Sequence, residues 1–256
     1  MTRLHSLHGR GELLVLPNAW DALSARLVEE AGARAIATSS AAVAWAHGYA
    51  DGQHLPFETL VRTVASIARV VSVPITVDLE RGYDDPAASV ARIVEAGAEG
   101  VNLEDAAGPP ERFAESVAAV RARLGGRVFL NARTCVVLRR AVTGASIVPE
   151  VLARARRYAD AGADGLFVPA LVEADDLAAV ADGTALPLNV MLMPGLPAPG
   201  RLRSLGVRRL SCAARVAEVA YDGARRATRA LLDHGDVRAL VDVEMTYAEV
   251  NALLAR

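Results

Sequence analysis

Two carboxylates, Asp78 and Glu80, close an apolar run that begins Pro74-Ile75-Thr76-Val77. Ile75 and Val77 are β-branched, which suits a strand, and strand residues two apart share a face. The two acids are therefore predicted to point the same way at a strand end, where like charges repel unless a cation sits between them. Gly82 and Asp84-Asp85-Pro86 then break the strand. Asp51 and Glu104 are further oxygen donors, and the set Asp51, Asp78, Glu80 and Glu104 contains no His or Cys. Hard oxygen ligands of this kind favour Mg²⁺ or Mn²⁺, and Mg²⁺ keeps several waters, so some of these acids are expected to act through water. Arg133 brings a planar guanidinium that can clamp a carboxylate or phosphonate with two bonds. The backbone at Ser39-Ser40-Ala41 can donate N–H groups to an oxyanion. A metal chelated by the carboxylate and keto oxygens of a 2-oxo acid polarises the carbonyl and stabilises the enolate left when the neighbouring bond breaks.

These residues are far apart in the chain, so the elements between them must bring them together. A phrase recurs: Glu30-Ala31-Gly32-Ala33, Glu95-Ala96-Gly97-Ala98, Asp160-Ala161-Gly162-Ala163 and, more loosely, Ser204-Leu205-Gly206-Val207. Each ends an amphipathic stretch and precedes a short apolar run, which reads as helix, left-handed glycine cap, strand. Strands are predicted near 13–16, 34–38, 75–80, 99–103, 128–132, 164–168, 188–192 and 207–211. Between them lie helical stretches at 22–30, 57–70, 86–95, 111–124, 149–160 and 174–181. Eight alternating units in 256 residues predict an α/β fold, a (β/α)8 TIM barrel in one domain spanning 1–256. A doubly wound open sheet is the rival, but no glycine fingerprint follows the first strand. The Pro-rich stretch 194–199 reads as a loop, and 245–256 as an additional C-terminal helix packing on the barrel or on a neighbouring subunit.

In such a barrel, chemistry gathers at the carboxyl ends of the strands. Polar residues predicted there are Asn18 and Asp21; Thr38, Ser39 and Ser40, with Asp51 in the loop beyond; Asp78 and Glu80; Asn102, Glu104 and Asp105; Asn131, Arg133 and Thr134; and Asn189. The sixth and eighth strands offer little, the latter only Ser211 and Cys212. His47 and His54 flank the Asp51 loop, and His47 or Tyr49 can donate a proton if it closes.

Charge is nearly balanced, with 28 basic and 30 acidic residues, so neither a nucleic-acid nor a membrane surface is expected. Two cysteines, Cys135 and Cys212, make no disulfide framework and suit a reducing compartment. Both read as small buried filler. Residues 1–10 hold no apolar core of a secretion signal, and charge interrupts the longer apolar runs; a cytoplasmic protein is the expectation.

The motifs also resemble those of the isocitrate lyase / phosphoenolpyruvate mutase superfamily. Asp78-Leu79-Glu80-Arg81-Gly82-Tyr83 resembles its Asp-x-Asp-x-Gly-Tyr, Asn102-Leu103-Glu104-Asp105 its Leu-Glu-Asp, and Asn131-Ala132-Arg133-Thr134 its Ala-Arg-Thr-Asp. Residues 17–25 resemble its Pro-Gly-x-x-Asp-Ala-Leu-Ser-Ala opening, and Gly48-Tyr49-Ala50-Asp51 its metal-side loop. The resemblance covers roughly residues 10–215. It implies a metal-dependent barrel acting on α-oxyacids. Asp78 would be a direct ligand, and Glu80, Glu104 and Asp51 ligands mostly through water. Ser39, Ser40, Ala41 and Arg133 would hold the substrate. From its strand end Asn189 is expected to join them, and Asp51, Arg133, Tyr49 and His47 are the expected catalytic set. It also implies a homotetramer, a dimer of helix-swapped dimers that exchange the C-terminal helix.

The departures narrow the activity. The lyases of this superfamily carry a Cys-containing lid after the fourth strand, whereas residues 105–113 here hold no Cys, His or Lys. Glu80 stands where Asp is usual, and Cys135 where the last Asp of Ala-Arg-Thr-Asp would be. The expectation is a Mg²⁺-dependent lyase or decarboxylase of a small 2-oxo dicarboxylate in the oxaloacetate class, working through a pyruvate-like enolate. The alternatives are a phosphonopyruvate-type C–P bond hydrolase or mutase, and a non-catalytic binder of 2-oxo acids.

Overall fold

The structure, a computed structural model, describes residues 1–9 and 11–255. Helix α1 (Arg3–His8) precedes the strands β1 (Leu14–Leu16) and β2 (Asn18–Ala19). The chain then runs α2 (Ala22–Glu30), β3 (Ile36–Thr38), α3 (Ser40–Ala46), α4 (Phe57–Val70), β4 (Ile75–Asp78), α5 (Pro86–Glu95), β5 (Gly100–Glu104), α6 (Pro110–Leu124) and β6 (Phe129–Arg133). It continues through α7 (Ile147–Asp160), β7 (Gly165–Phe167), α8 (Ala174–Gly183), β8 (Leu188–Met191), α9 (Pro199–Ser204) and β9 (Arg209–Ser211). Three helices finish it: α10 (Arg215–His234), α11 (Arg238–Val241) and α12 (Tyr247–Leu254).

All neighbouring strands pair in parallel, in the order β1-β9-β8-β7-β6-β5-β4-β3-β2. The two outer members are one stave. Pro17 has no N–H for a ladder and separates β1, the predicted first strand, from the short β2 that continues its line. Leu14–Leu16 pairs with β9 and Asn18–Ala19 with β3, so this stave closes the ring. The eight-stave barrel expected from the sequence is thus present.

The recurring glycines perform the expected turn. Gly32, Gly97, Gly162 and Gly206 all have φ between 86° and 112°, the region that L side chains avoid. Three of them also touch the preceding outer helix. A Cβ at Gly97 would lie 2.6 Å from Ala68 of α4, and one at Gly206 2.8 Å from Ala181 of α8; at Gly162 it would meet Arg121 of α6 at 2.9 Å. The motif caps one helix and seats it against its neighbour.

The apolar layer between strands and helices is built from residues such as Val64, Ile67, Val77, Val90, Ile93, Val101, Val117 and Leu130, all fully buried. A second cluster, with Leu166, Leu177, Val180, Val190 and Leu202, fills the later half. The amino-terminal end of the barrel is stopped by α1, whose Leu4 is fully buried against Leu14, Leu16, Ala35, Ala37 and Phe129. Helix α12 lies against α2 of the same chain, and Arg26 Nε donates to the Leu253 carbonyl at 3.1 Å. Among the described residues, no helix is long and apolar enough to cross a membrane.

Candidate active site

Strand alternation decides which side chains enter the barrel. Thr76 and Asp78 share a face of β4, Asn102 and Glu104 one of β5, and Asn131 and Arg133 one of β6. Register then places Asp78 beside Asn102, Asn102 beside Asn131, and Glu104 beside Arg133. An acid, an acid and a guanidinium thus stand at the carboxyl ends of three adjacent strands. Asp78 and Arg133 open onto a cavity of about 290 Å³ at the mouth, lined also by Asn18, Ser39, Ser40, Ala41, Asp51 and Ser211, and Glu104 adjoins it through Arg133. A larger hollow of about 590 Å³ borders Glu104 on the side of Arg81, Tyr83 and Arg112. It includes neither Asp78 nor Arg133, so the chemistry belongs to the smaller one.

Arg133 ties the acids together. Its Nη2 is 3.2 Å from Glu104 Oε2 and its Nη1 3.8 Å from Asp78 Oδ2. Its guanidinium carbon lies 5.5 Å from the centre of the Phe167 ring, a cation–π contact that sets its plane. The Asp78 and Glu104 charges hold the guanidinium protonated, against a large burial penalty. Asp78 also accepts from Ser40 Oγ at 3.1 Å, and its own N–H donates to Thr38 Oγ1 at 3.0 Å. Ser39 caps α3, its hydroxyl accepting from Ala42 N–H at 3.4 Å. That leaves the first-turn N–H groups of Ser40 and Ala41 without intrahelical acceptors, at the cavity wall.

Glu80 corrects one expectation. Strand β4 ends at Asp78, and Glu80 has φ 50°. It therefore sits in a left-handed turn rather than on the strand face shared with Asp78. The turn sends its carboxylate to the Asp51 loop, where Oε1 accepts from Gln53 N–H at 2.9 Å. Burial, and then the charges of Asp78, Asp51 and Glu104, push its carboxyl up to about 7, while the Gln53 bond pulls the other way. The charges of three acids, from the Asp51 loop and the ends of β4 and β5, therefore reach Glu80.

These donors fit a hard cation. They are all oxygens, and they crowd enough to raise Glu80. Among the described residues no three His, Cys, Asp or Glu side chains gather closely enough to enclose an ion alone. That arrangement fits Mg²⁺ or Mn²⁺ with one or two direct carboxylates and several waters, and does not fit a dehydrated protein cage.

Other expected site residues lie elsewhere. His47 Nε2 is 3.0 Å from Thr63 Oγ1, and with Tyr49 it lines a separate hollow over α4. Asn189 is buried within the barrel; its Nδ2 is 3.5 Å from Ser211 Oγ. Asp105 points away from the mouth and is bound by Arg154 and Tyr158. Cys135 is fully buried, its thiol donating to Glu104 Oε2 at 3.4 Å and pushed up to about 12, chiefly by burial. Cys212 is half-buried, and burial raises its thiol. Two arginines went unnoticed in the sequence. Arg139 reaches within 3.8 Å of Glu104 Oε1. Arg209 lies inside the barrel, and its place on the Ser211 face of β9 was the available signal.

The phosphoenolpyruvate phosphomutase family model matches residues 4–232. The chain belongs to that family, within the isocitrate lyase / phosphoenolpyruvate mutase superfamily, and it is an enzyme of that group. An uncharacterised protein of Mycobacterium tuberculosis is 34% identical over 256 residues, covering 98% of this chain and 95% of its own. An oxaloacetate decarboxylase of Bradyrhizobium sp. is 29% identical, covering 95% and 81%. A crystal structure from Burkholderia cenocepacia J2315, assigned by name only as a phosphonomutase, is 39% identical with TM-score 0.83, covering 88% and 97%. A phosphonopyruvate hydrolase solved with oxalate and Mg²⁺ shares the fold at TM-score 0.86 and 21% identity, covering 98% and 93%.

Proposed function

We propose that this enzyme is a Mg²⁺- or Mn²⁺-dependent decarboxylase or lyase of a small 2-oxo dicarboxylate, in the oxaloacetate class. The observation that supports it most is Arg133 bridging Asp78 and Glu104, at 3.8 and 3.2 Å, at the rim of one small mouth that Asp78 and Arg133 line. A cavity of about 290 Å³ is at the small end for ligand sites, about 300–1,000 Å³, and suits a compact acid. The similarity to an oxaloacetate decarboxylase points the same way.

Asp78 would hold the cation directly, with Glu80, Glu104 and Asp51 reaching it mostly through water. When bound, it supplies the positive charge that polarises the 2-oxo group and draws off the electron pair of the breaking bond. Arg133 clamps one carboxylate. The N–H groups of Ser40 and Ala41 take the other oxyanion. The carbon–carbon electron pair moves toward the carbonyl oxygen, carbon dioxide leaves, and a proton must then reach the carbon. His47 or Tyr49 supplies that proton when the loop at residues 47–54 closes over the mouth. Such a reaction needs polarisation and no strong base, which suits a segment at 105–113 that has no Cys, His or Lys. The assembly we favour is a homotetramer, in which α12 passes to a neighbour instead of resting on its own α2.

The test is pyruvate release from oxaloacetate with Mg²⁺, with free-metal decarboxylation subtracted. Protein-dependent release abolished by EDTA is expected; none above the free-metal rate discards the reading. The similarity to the Burkholderia protein supports a second reading, C–P bond chemistry on phosphonopyruvate. It requires phosphate release or a mutase product from that acid, and fails if neither forms.

A further inference from the structure

One charged side chain inside the barrel is not used by the chemistry above. Arg209 of β9 is fully buried. Its Nη2 donates a long bond of 3.3 Å to Asn102 Oδ1, which also accepts from Asn131 Nδ2 at 2.8 Å. Its Nε and Nη1 have no partner among the described residues. Asn189, its register partner on β8, is also left with an unpartnered Oδ1. Burial pulls the guanidinium down to about 10, and the charge of Asp78 opposes that pull. It stays charged at neutral pH. Asn102 and Ser211 line the cavity while Arg209 does not. Arg209 therefore lies one side-chain layer beneath the floor.

A buried cation held by one weak hydrogen bond costs stability. Nothing in the packing requires it, because Asn102 Oδ1 keeps its bond from Asn131 without it. What the charge does affect is the site above. It repels a dication at Asp78 and Glu104, and it attracts an anion. We propose that Arg209 is a positioning residue that acts through Asn102 and through its field. It biases the site toward a dianionic acid bound together with its cation, and against the cation alone. The proposal rests on the 2-oxo acid reading above and names what makes that site selective for dianions.

The test compares Arg209→Met and Arg209→Lys with the wild-type protein, using Mn²⁺ alone and then oxalate on the Mn²⁺-loaded protein, by titration calorimetry, with Tm measured alongside. For Arg209→Met we expect a higher Tm, Mn²⁺ binding at least about threefold tighter, and oxalate binding at least about tenfold weaker. Arg209→Lys keeps the charge and is expected to stay within about threefold of wild type on both ligands. A structural role would lower Tm and weaken both ligands together. That result overturns the proposal, as does an Arg209→Met protein that fails to fold, or a lysine variant that behaves like the methionine one. A wild-type protein that binds neither Mn²⁺ nor oxalate overturns the functional reading itself.

Discussion

Glu104 and Asp105 are consecutive acids with opposite fates. Asp105 turns outward under α7, where its side chain is completely buried. Its Oδ1 accepts from the N–H groups of Ala107 and Cys135 at 2.8 and 2.9 Å. Its Oδ2 accepts from Arg154 Nη1 at 2.8 Å and from the Tyr158 hydroxyl at 2.7 Å. Arg154 also donates to the Gly108 carbonyl and to Glu150. Every strong acceptor site on the Asp105 carboxylate is filled, and the node has nothing left to offer a ligand. Glu104 turns inward, among acids of its own sign and two arginines that approach at 3.2 and 3.8 Å. Arg139 approaches its Oε1 only at 3.8 Å, beyond hydrogen-bond reach, and the Nε of Arg133 has no partner among the described residues. Completeness marks a structural acid, and incompleteness marks one available for chemistry.

The sharpest way to break this contrast is to remove each kind of acid. Asp105→Ala would take the buried counter-charge from Arg154, whose side chain is 9% exposed, leaving it Glu150 and the Gly108 carbonyl, and would leave the Cys135 N–H and Tyr158 hydroxyl without an acceptor. Removing one member of a buried pair costs about 3–5 kcal/mol, so urea unfolding should show a loss of that order. Asp78→Ala should cost little stability, because it relieves repulsion on Glu80, yet it should lower turnover about 10²–10³-fold, the scale of one preorganised electrostatic group. The contrast fails if Asp78→Ala unfolds as readily as Asp105→Ala, or if it turns over like wild type.

In the sequence these two acids went unseparated. Both sit in Asn102-Leu103-Glu104-Asp105 and were grouped at one mouth, although alternation that turns Asn102 and Glu104 inward sends Asp105 to the other face. Much of the frame was legible, because the glycines at 32, 97, 162 and 206 need positive φ and Gly is the residue that tolerates it. The split at Pro17 was readable in principle, since proline cannot extend a ladder. The turn at Glu80 was not, because alternation was carried two residues past the strand's end. Arg209 was passed over because a lone arginine near a strand end ordinarily reads as solvated surface.

A second unsatisfied group extends the comparison to the other end of the barrel. His8 is 7% exposed and stacks on Phe129, with ring centres 4.1 Å apart. Its Nδ1 donates to the Leu4 carbonyl at 2.7 Å, and its Nε2 has no partner among the described residues. Burial first, and the Arg209 charge second, bring the imidazole down to about 3 from 6.5. The unfolded chain therefore binds a proton that the folded chain refuses throughout that window. Stability contributed by His8 is present above about 6.5 and is lost as pH falls toward 3. The slope is at most about 1.4 kcal/mol per pH unit. His8→Gln should flatten the dependence of unfolding free energy on pH between 4 and 6.5; equal slopes in the two proteins would remove His8 as its source.

The smallest effect expected concerns the two thiols. Cys135 touches Glu104, so it borders the unsatisfied region, yet its backbone N–H belongs to the Asp105 node. If the node governs it, the thiol is inert. It is fully buried and pushed up to about 12, so almost no thiolate forms at pH 8. Cys212 is half-buried and should react with iodoacetamide first, followed by peptide mapping to read the order. Cys135→Ala should then change turnover by no more than about threefold, because it removes one weak donor to Glu104 and leaves Arg133 in place. Preferential labelling of Cys135 in the folded protein would mean that the segment after β6 opens during solution fluctuations. Cys135 would then belong to the reactive mouth and not to the closed node.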